Sequence, residues 1–96
     1  MFDHEQRDNL RLNEFLVIRR AGDAKYLAEI HDGDLVWSDK VNHARKHETS
    51  DGVLRDVIAI GAAYQKTGRS VPRLTLEVVV KSAWKVVACF SVRPKG

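Results

Sequence analysis

The sequence predicts an α+β fold: a single antiparallel sheet of about five strands, in the order β-β-β-α-β-β, with one main helix packed on one face. Three short runs of β-branched and aromatic residues come first, one segment with helical spacing follows, and two alternating runs end the chain. The 96 residues are expected to form one domain over residues 14–93, with a polar N-terminal arm at 1–13 and a tail at 94–96.

The first half of the chain predicts three strands in a meander. Residues 15–20 and 35–37 are rich in β-branched and aromatic side chains, which favour strands. Residues 25–30 lie between them and alternate in character. One face of this middle strand is therefore expected to carry Tyr26, Ala28 and Ile30.

Turn chemistry separates these strands. Gly22 is expected to supply positive φ in the first turn, because glycine adopts that conformation without steric conflict. Asp32-Gly33 stands between two apolar runs, which strongly indicates a hairpin. Ser38 and Asp39 are good N-cap residues, so residues 40–46 are expected to form a short helical turn.

The longest helix is predicted over residues 50–67. Thr49, Ser50 and Asp51 provide the N-terminal signal, and Gly68 is placed to be the C′ residue that ends the helix. Apolar residues recur at helical spacing and predict one buried stripe. This stripe is expected to contain Val53, Leu54, Val57, Ile58, Gly61, Ala62 and Tyr64.

Two long strands are predicted on either side of Ser82-Ala83. Because Ser-Ala is a poor two-residue turn, we expect a four-residue loop or a bulge there. Alternation places Trp84 and Phe90 on one face and Cys89 on the other. Trp37 and Trp84 are both in phase with neighbouring aliphatic residues, so both are expected in the core.

No residue pattern predicts a catalytic centre, a metal site or a cofactor. His43 and His47 have the spacing of two zinc ligands on one helix, but a solvated helical face is the preferred explanation. His31 lies in a turn whose Asp and Gly residues serve the backbone. Cys89 is expected to be a small packing residue rather than a nucleophile. We therefore predict a protein that is not an enzyme.

The net charge of +3 is unevenly distributed along the chain. Residues 1–60 contain nine Lys or Arg against twelve Asp or Glu, whereas residues 61–96 contain seven against Glu77 alone. Such asymmetry indicates a polyanionic or acidic protein partner, although edge strands also carry cations to prevent sheet-to-sheet pairing. The predicted partner-binding residues are Lys66, Arg69, Arg73, Lys81 and Lys85.

The stretch from Phe15 to Thr49-Ser50 resembles small α+β proteins carried by bacteriophages and other mobile elements. The resemblance covers residues 15–60 and depends on a hairpin ending in Trp37, the Ala44-Arg45-Lys46 step and the capped helix that follows. It implies a host-interaction protein of the anti-CRISPR kind, which inhibits a host machine by occupying its binding surface. The resemblance carries over no functional residue.

Three functions follow from these observations, and the first is preferred. It is a non-catalytic protein-binding module acting on a host protein or nucleoprotein complex. The second is a nucleic-acid-binding domain using the basic C-terminal hairpin, and the third is a small enzyme or metal protein. Self-association as a homodimer through a strand edge is also open. The lack of a long apolar run predicts no membrane contact, and the single cysteine suits the cytoplasm, the host's if the chain is phage-encoded.

Overall fold

The computed structural model describes residues 13–92, so all but the last residue of the predicted arm at 1–13, and the predicted tail at 94–96, lie outside the described residues. The sheet has five antiparallel strands in the spatial order β3-β2-β1-β4-β5. The α+β fold with one sheet and one main helix is confirmed. The elements are β1 (Glu14–Arg20), β2 (Lys25–His31), β3 (Asp34–Ser38), a 3-10 helix (Val41–His43), α1 (Ser50–Lys66), β4 (Leu74–Val80) and β5 (Lys85–Val92).

The hairpin turns follow local chemistry, with one correction. Asp32 and Gly33 have φ values of 50° and 85°, which is the pair of positive values that a type I′ turn requires. The sequence suggests positive φ at Gly22 in the first turn. In the structure the positive φ of 59° belongs to Ala24 instead. The β4–β5 loop has the expected four residues and ends at Trp84, whose φ is 51°.

Two β-bulges change which face several side chains occupy. In β2, Leu27 pairs with Trp37 and Glu29 pairs with Val36, so Ala28 is an extra residue. Tyr26 and Ile30 therefore contact different cores, and the prediction that they share a face is wrong.

The second bulge lies in β5. Val78 pairs with Ala88 and Val79 pairs with Val86, which leaves Val87 as the extra residue. Trp84 and Phe90 consequently belong to opposite faces of the sheet, although strict alternation had placed them together.

The ends of α1 are set by the residues that the sequence indicates. The Gly52 amide donates to the Thr49 hydroxyl at 3.3 Å, which makes Thr49 the N-cap. At the other end Gly68 has a φ of 72°. Its amide donates to Gln65 O and the Arg69 amide donates to Tyr64 O, each at 3.0 Å, which is the Schellman pattern.

The buried stripe of α1 is narrower than predicted. Val53, Ile60 and Tyr64 are buried with Asp56 among them, and Val57 is half-buried. Leu54, Ile58 and Ala62 are exposed instead. Steps of 100° per residue place those three at the far side of the helix, and one flat sheet covers only one side.

The two faces of the sheet carry separate cores. The helix-face core combines residues of three strands with residues of α1. It contains Leu16 and Ile18 of β1, Leu27 of β2, Leu74, Leu76 and Val78 of β4, and Val53, Ile60 and Tyr64 of α1. Trp37 and Phe90 pack against it. The opposite-face core contains Phe15, Val17, Ala44 and Val79, with Tyr26, Val41 and Trp84 at its margin. Both tryptophans therefore contact the core, as predicted, but in different clusters.

Residues 44–47 lie between β1 and β2 where those strands separate. The predicted turn at 40–46 is helical only at Val41–His43. Beyond it, the Arg45 amide donates to Leu27 O, and His47 exchanges both backbone hydrogen bonds with Leu16. Ala44 packs on the opposite-face core, whereas His47 is hydrogen-bonded to Asp56 of α1. The chain thus passes from one face of the sheet to the other before α1 begins.

Candidate binding surfaces

The five predicted basic residues form two groups at opposite ends of the sheet. Arg73 directly precedes β4, and Lys66 and Arg69 lie at the C-terminal end of α1. Lys81 and Lys85 are in or beside the β4–β5 loop. The seven residues of β4 separate Arg73 from Lys81, a distance of roughly 25 Å. Their role in partner binding stays a prediction, and a partner touching all five must span the sheet.

An open groove of about 520 Å³ lies where the β2–β3 hairpin meets the end of α1. One wall comes from β3, with Leu35 and Trp37, and the other from α1, with Tyr64. Cations and one acid complete it. Its lining includes Arg20, Asp34, Leu35, Trp37, Tyr64, Lys66 and Arg69.

Arg20 is held in one orientation inside this groove. Its guanidinium donates from Nε and Nη2 to the Asp23 carboxylate and from Nη1 to the Tyr64 hydroxyl, at 2.9, 2.5 and 2.8 Å. The same group lies 4.3 Å from the centroid of the Trp37 ring. The hydrogen bond from Arg20 lowers the pKa of Asp23 to about 2. Arg20 therefore forms a rigid, charged part of the groove wall.

Arg69 extends the same groove from the far side of Tyr64. Its guanidinium lies 4.8 Å from the centroid of the Tyr64 ring, and its Nε donates to the Thr67 hydroxyl at 3.3 Å. Lys66 lies one turn before it at the last position of α1. The groove therefore combines aromatic rings with three cations. Charge counting alone could not find this arrangement, because Arg20 and Trp37 are distant in sequence from Lys66 and Arg69.

A second surface is the outer side of α1, here called the helix stripe: Leu54, Ile58 and Ala62. The three residues are spaced four apart and so follow one line along the helix. Leu54 is 58% exposed and Ile58 is 63% exposed. Asp51 precedes the stripe, Gln65 follows it, and both are exposed. The sequence did signal these apolar positions, but it gave no indication that they face solvent.

The histidines are placed differently from the sequence expectation of a shared helical face. His47 is buried, with Nε2 2.5 Å from Asp56 Oδ2 and Nδ1 3.2 Å from Leu16 O. His43 is exposed and its Nδ1 lies 3.2 Å from the Ser38 hydroxyl. Residues 13–92 contain no group of three or more His, Cys, Asp or Glu suited to a metal ion.

The buried His47–Asp56 pair also includes Arg45, whose Nε donates to the same carboxylate oxygen at 2.6 Å. Sequence reasoning missed this cluster. The available signal was Asp56 itself, which shares the helical spacing of Val53 and Ile60 and therefore needs buried donors. Arg45 and His47, two residues apart on an extended segment, point to one side and supply them.

A second buried acid lies on the opposite face of the sheet. Glu77 accepts a hydrogen bond from the Tyr26 hydroxyl at 2.8 Å and lies 3.5 Å from Arg19 Nη1. Burial and the neighbouring carboxylate raise the pKa of Tyr26 to about 12. The exposed Cys89 pairs across the strands with Glu77. Cys89 is exposed because β5 is an edge strand. The expected packing role is therefore wrong.

Aromatic rings near Lys81 and Lys85 are already occupied. Trp84 packs edge-on against Phe15, with ring centroids 5.5 Å apart. Lys46 Nζ lies 5.0 Å from the Trp84 ring. Nucleic-acid binding at this end of the hairpin stays a prediction.

None of the known protein families, curated proteins or solved structures matches this chain. Across residues 13–92, no helix has both the length and the apolar character needed to cross a membrane.

Proposed function

We propose that this chain is a non-catalytic protein-binding module that docks through the helix stripe. The observation that carries the proposal is the exposure of Leu54 and Ile58, which are 58% and 63% accessible on the outer side of α1. Neither side chain contributes to the cores of the described fold. An apolar helix face of this kind can dock in a hydrophobic groove of a partner.

The spacing of the helix stripe favours one kind of partner. Leu54, Ile58 and Ala62 are the i, i+4 and i+8 positions that an apolar groove on another protein accepts. Asp51 and Arg55 are exposed beside them and can form a polar rim. We therefore commit to a protein partner with an apolar groove about one helix wide. A second copy of this chain is the competing occupant that the experiment below distinguishes.

The burial and internal hydrogen bonds of the His47–Asp56 pair support a non-catalytic role. These residue types form dyads in many enzymes, but here both side chains are 5% exposed. Both ring nitrogens of His47 also have partners within the protein. This pair is suited to holding segments together and not to receiving a substrate.

The resemblance to small mobile-element proteins supports the finer proposal that the partner belongs to a host machine. A module with no chemistry of its own can inhibit such a machine only by occupying a surface that the machine needs.

Co-purification from the native host tests the proposal with matched variants. Ile58→Glu and Leu54→Glu should each lose a stoichiometric partner that the wild-type chain retains. Val36→Glu is the control, because Val36 is an exposed apolar residue on β3, away from the helix stripe. Far-ultraviolet circular dichroism should show all three variants folded, since each replaced side chain is exposed.

Two outcomes would overturn the proposal. One is capture of the same partner, in the same amount, by wild type and by Ile58→Glu. The other is a wild-type homodimer in light scattering that Ile58→Glu converts to monomer, because the stripe would then be a self-association surface.

A further inference from the structure

We propose that the groove between the β2–β3 hairpin and the end of α1 binds a nucleotide, with its phosphate at Lys66 and Arg69 and its base against the Arg20–Trp37 pair. The inference is independent of the helix stripe and of its partner. It assigns a ligand class to a cavity of about 520 Å³, which is within the usual range for small-molecule sites.

The phosphate end depends on two cations at the C-terminal end of α1, Lys66 and Arg69. Within residues 13–92, neither Lys66 nor Arg69 forms an ion pair with an acidic side chain. Neither is needed to cap α1, because backbone amides already satisfy Tyr64 O and Gln65 O. The Tyr64 ring and the Thr67 hydroxyl orient the Arg69 guanidinium, leaving its two terminal nitrogens to donate to phosphate oxygens.

The base end depends on the stacked pair of Arg20 and Trp37. One face of the Arg20 guanidinium lies over the Trp37 ring, and three hydrogen bonds fix its plane. Its side chain is 21% exposed and lines the groove, so part of it is accessible to a planar base. Guanidinium planes accept nucleobases in this way in RNA-binding proteins.

Two further groups define the ligand more closely. Leu35 and Asp34 also line the groove. A carboxylate only accepts hydrogen bonds, so it favours a base that carries an exocyclic amine.

The groove is open at its surface, so a nucleotide can reach it either free or as part of a single strand. Both sources present the same phosphate, sugar and base to the groove. They differ in affinity and in salt dependence, because a strand adds phosphate contacts outside the groove. The experiment therefore uses both.

The test is an NMR titration with adenosine 5′-monophosphate and with a single-stranded adenine hexanucleotide. Each should shift the indole N–H signal of Trp37 and the amides of Ala63 and Thr67, and leave the Trp84 indole unmoved. The double variant Lys66→Gln/Arg69→Gln should weaken binding of both probes about tenfold or more. The control Lys81→Gln/Lys85→Gln removes the same charge at the other end of β4 and should change affinity less than about twofold.

The two probes also distinguish a free nucleotide from a nucleotide within a single strand. Tighter, more salt-sensitive binding of the hexanucleotide supports a strand, and equal binding supports a free nucleotide. The proposal is overturned if neither probe shifts Trp37 at about 5 mM. It is equally overturned if inorganic phosphate or hexaglutamate produces the same shifts with the same affinity as the nucleotides, since the site would then recognise negative charge alone.

Discussion

His47 and Asp56 form a buried hydrogen-bonded pair that joins three parts of the fold. His47 Nε2 lies 2.5 Å from Asp56 Oδ2, and both side chains are 5% exposed. The other ring nitrogen lies 3.2 Å from Leu16 O of β1. The pair connects β1, the extended segment at residues 44–47, and α1.

Replacing Asp56 with alanine should destabilise the protein by about 3 kcal/mol, because it leaves His47 and Arg45 without their buried acceptor. Urea denaturation followed by circular dichroism measures the change in the free energy of unfolding. Asp51→Ala, on the exposed side of the same helix, is the matched control and should change stability by less than about 0.5 kcal/mol. Equal losses in the two variants would show that the pair contributes nothing specific.

Tyr26 should make stability depend on alkaline pH. Its pKa is raised from 10.0 to about 12, so between these values the unfolded chain loses the phenolic proton while the folded protein keeps it. The contribution of Tyr26 is therefore complete below pH 10 and is lost as the pH rises through 12. Absorbance at 295 nm should show a tyrosine titrating near 12 that is missing in Tyr26→Phe.

The difference in unfolding free energy between wild type and Tyr26→Phe isolates this effect from the lysines, which titrate in the same range. The wild type should lose stability more steeply than the variant from pH 10 upward. Parallel curves would contradict the assigned coupling between Tyr26 and Glu77.

Alanine substitutions at Gly61, inside α1, and at Gly68, just after its C-terminus, should change the stability of the protein in opposite directions. Gly68 has a φ of 72° in the Schellman turn, so Gly68→Ala should destabilise the protein by about 1 kcal/mol. Gly61 lies inside the helix with no heavy atom within 4 Å of an added Cβ. Gly61→Ala should therefore stabilise by about 0.5–1 kcal/mol. Thermal unfolding of both variants measures this, and a change of the same sign in both would refute the helix boundary.

The opposite-face core can be tested with two valines on adjacent strands. Val79 is 0% exposed in that core, whereas the bulge residue Val87 is 49% exposed. Val79→Ala should lower the free energy of unfolding by about 2 kcal/mol, and Val87→Ala should lower it by less than about 0.5 kcal/mol. Urea denaturation distinguishes the two. Similar small losses would mean that only the helix face of the sheet is packed.

Local chemistry was sufficient for most element boundaries. The Asp32-Gly33 turn, the Thr49 cap and the Gly68 terminus each depend on residues adjacent in sequence, and all three are confirmed. The faces of β2 and β5 were harder to predict. A single extra residue, Ala28 or Val87, reverses the side on which every later side chain lies, and alternation alone contains no sign of it.

For the candidate surfaces, too, the sequence identified individual residues but not the arrangement that brings them together. Lys66 and Arg69 were identified from charge, but the rings beside them come from β3 and from inside α1. Leu54 and Ile58 were identified as apolar, but which side of α1 meets the sheet depends on the fit of Val53, Ile60 and Tyr64 to the strands. Neither surface could be recognised before those distant segments were placed together.

The order of strands and helix along the chain, the Asp32-Gly33 turn and the caps of α1 were determined by the sequence alone, since each results from interactions among neighbouring residues. The tertiary structure decided the rest: the passage of residues 44–47 between β1 and β2, the burial of Asp56 with His47, and the exposure of the helix stripe. These features depend on contacts between segments far apart in the chain. The free energy of those contacts is fixed by shape and burial, which local residue patterns do not contain.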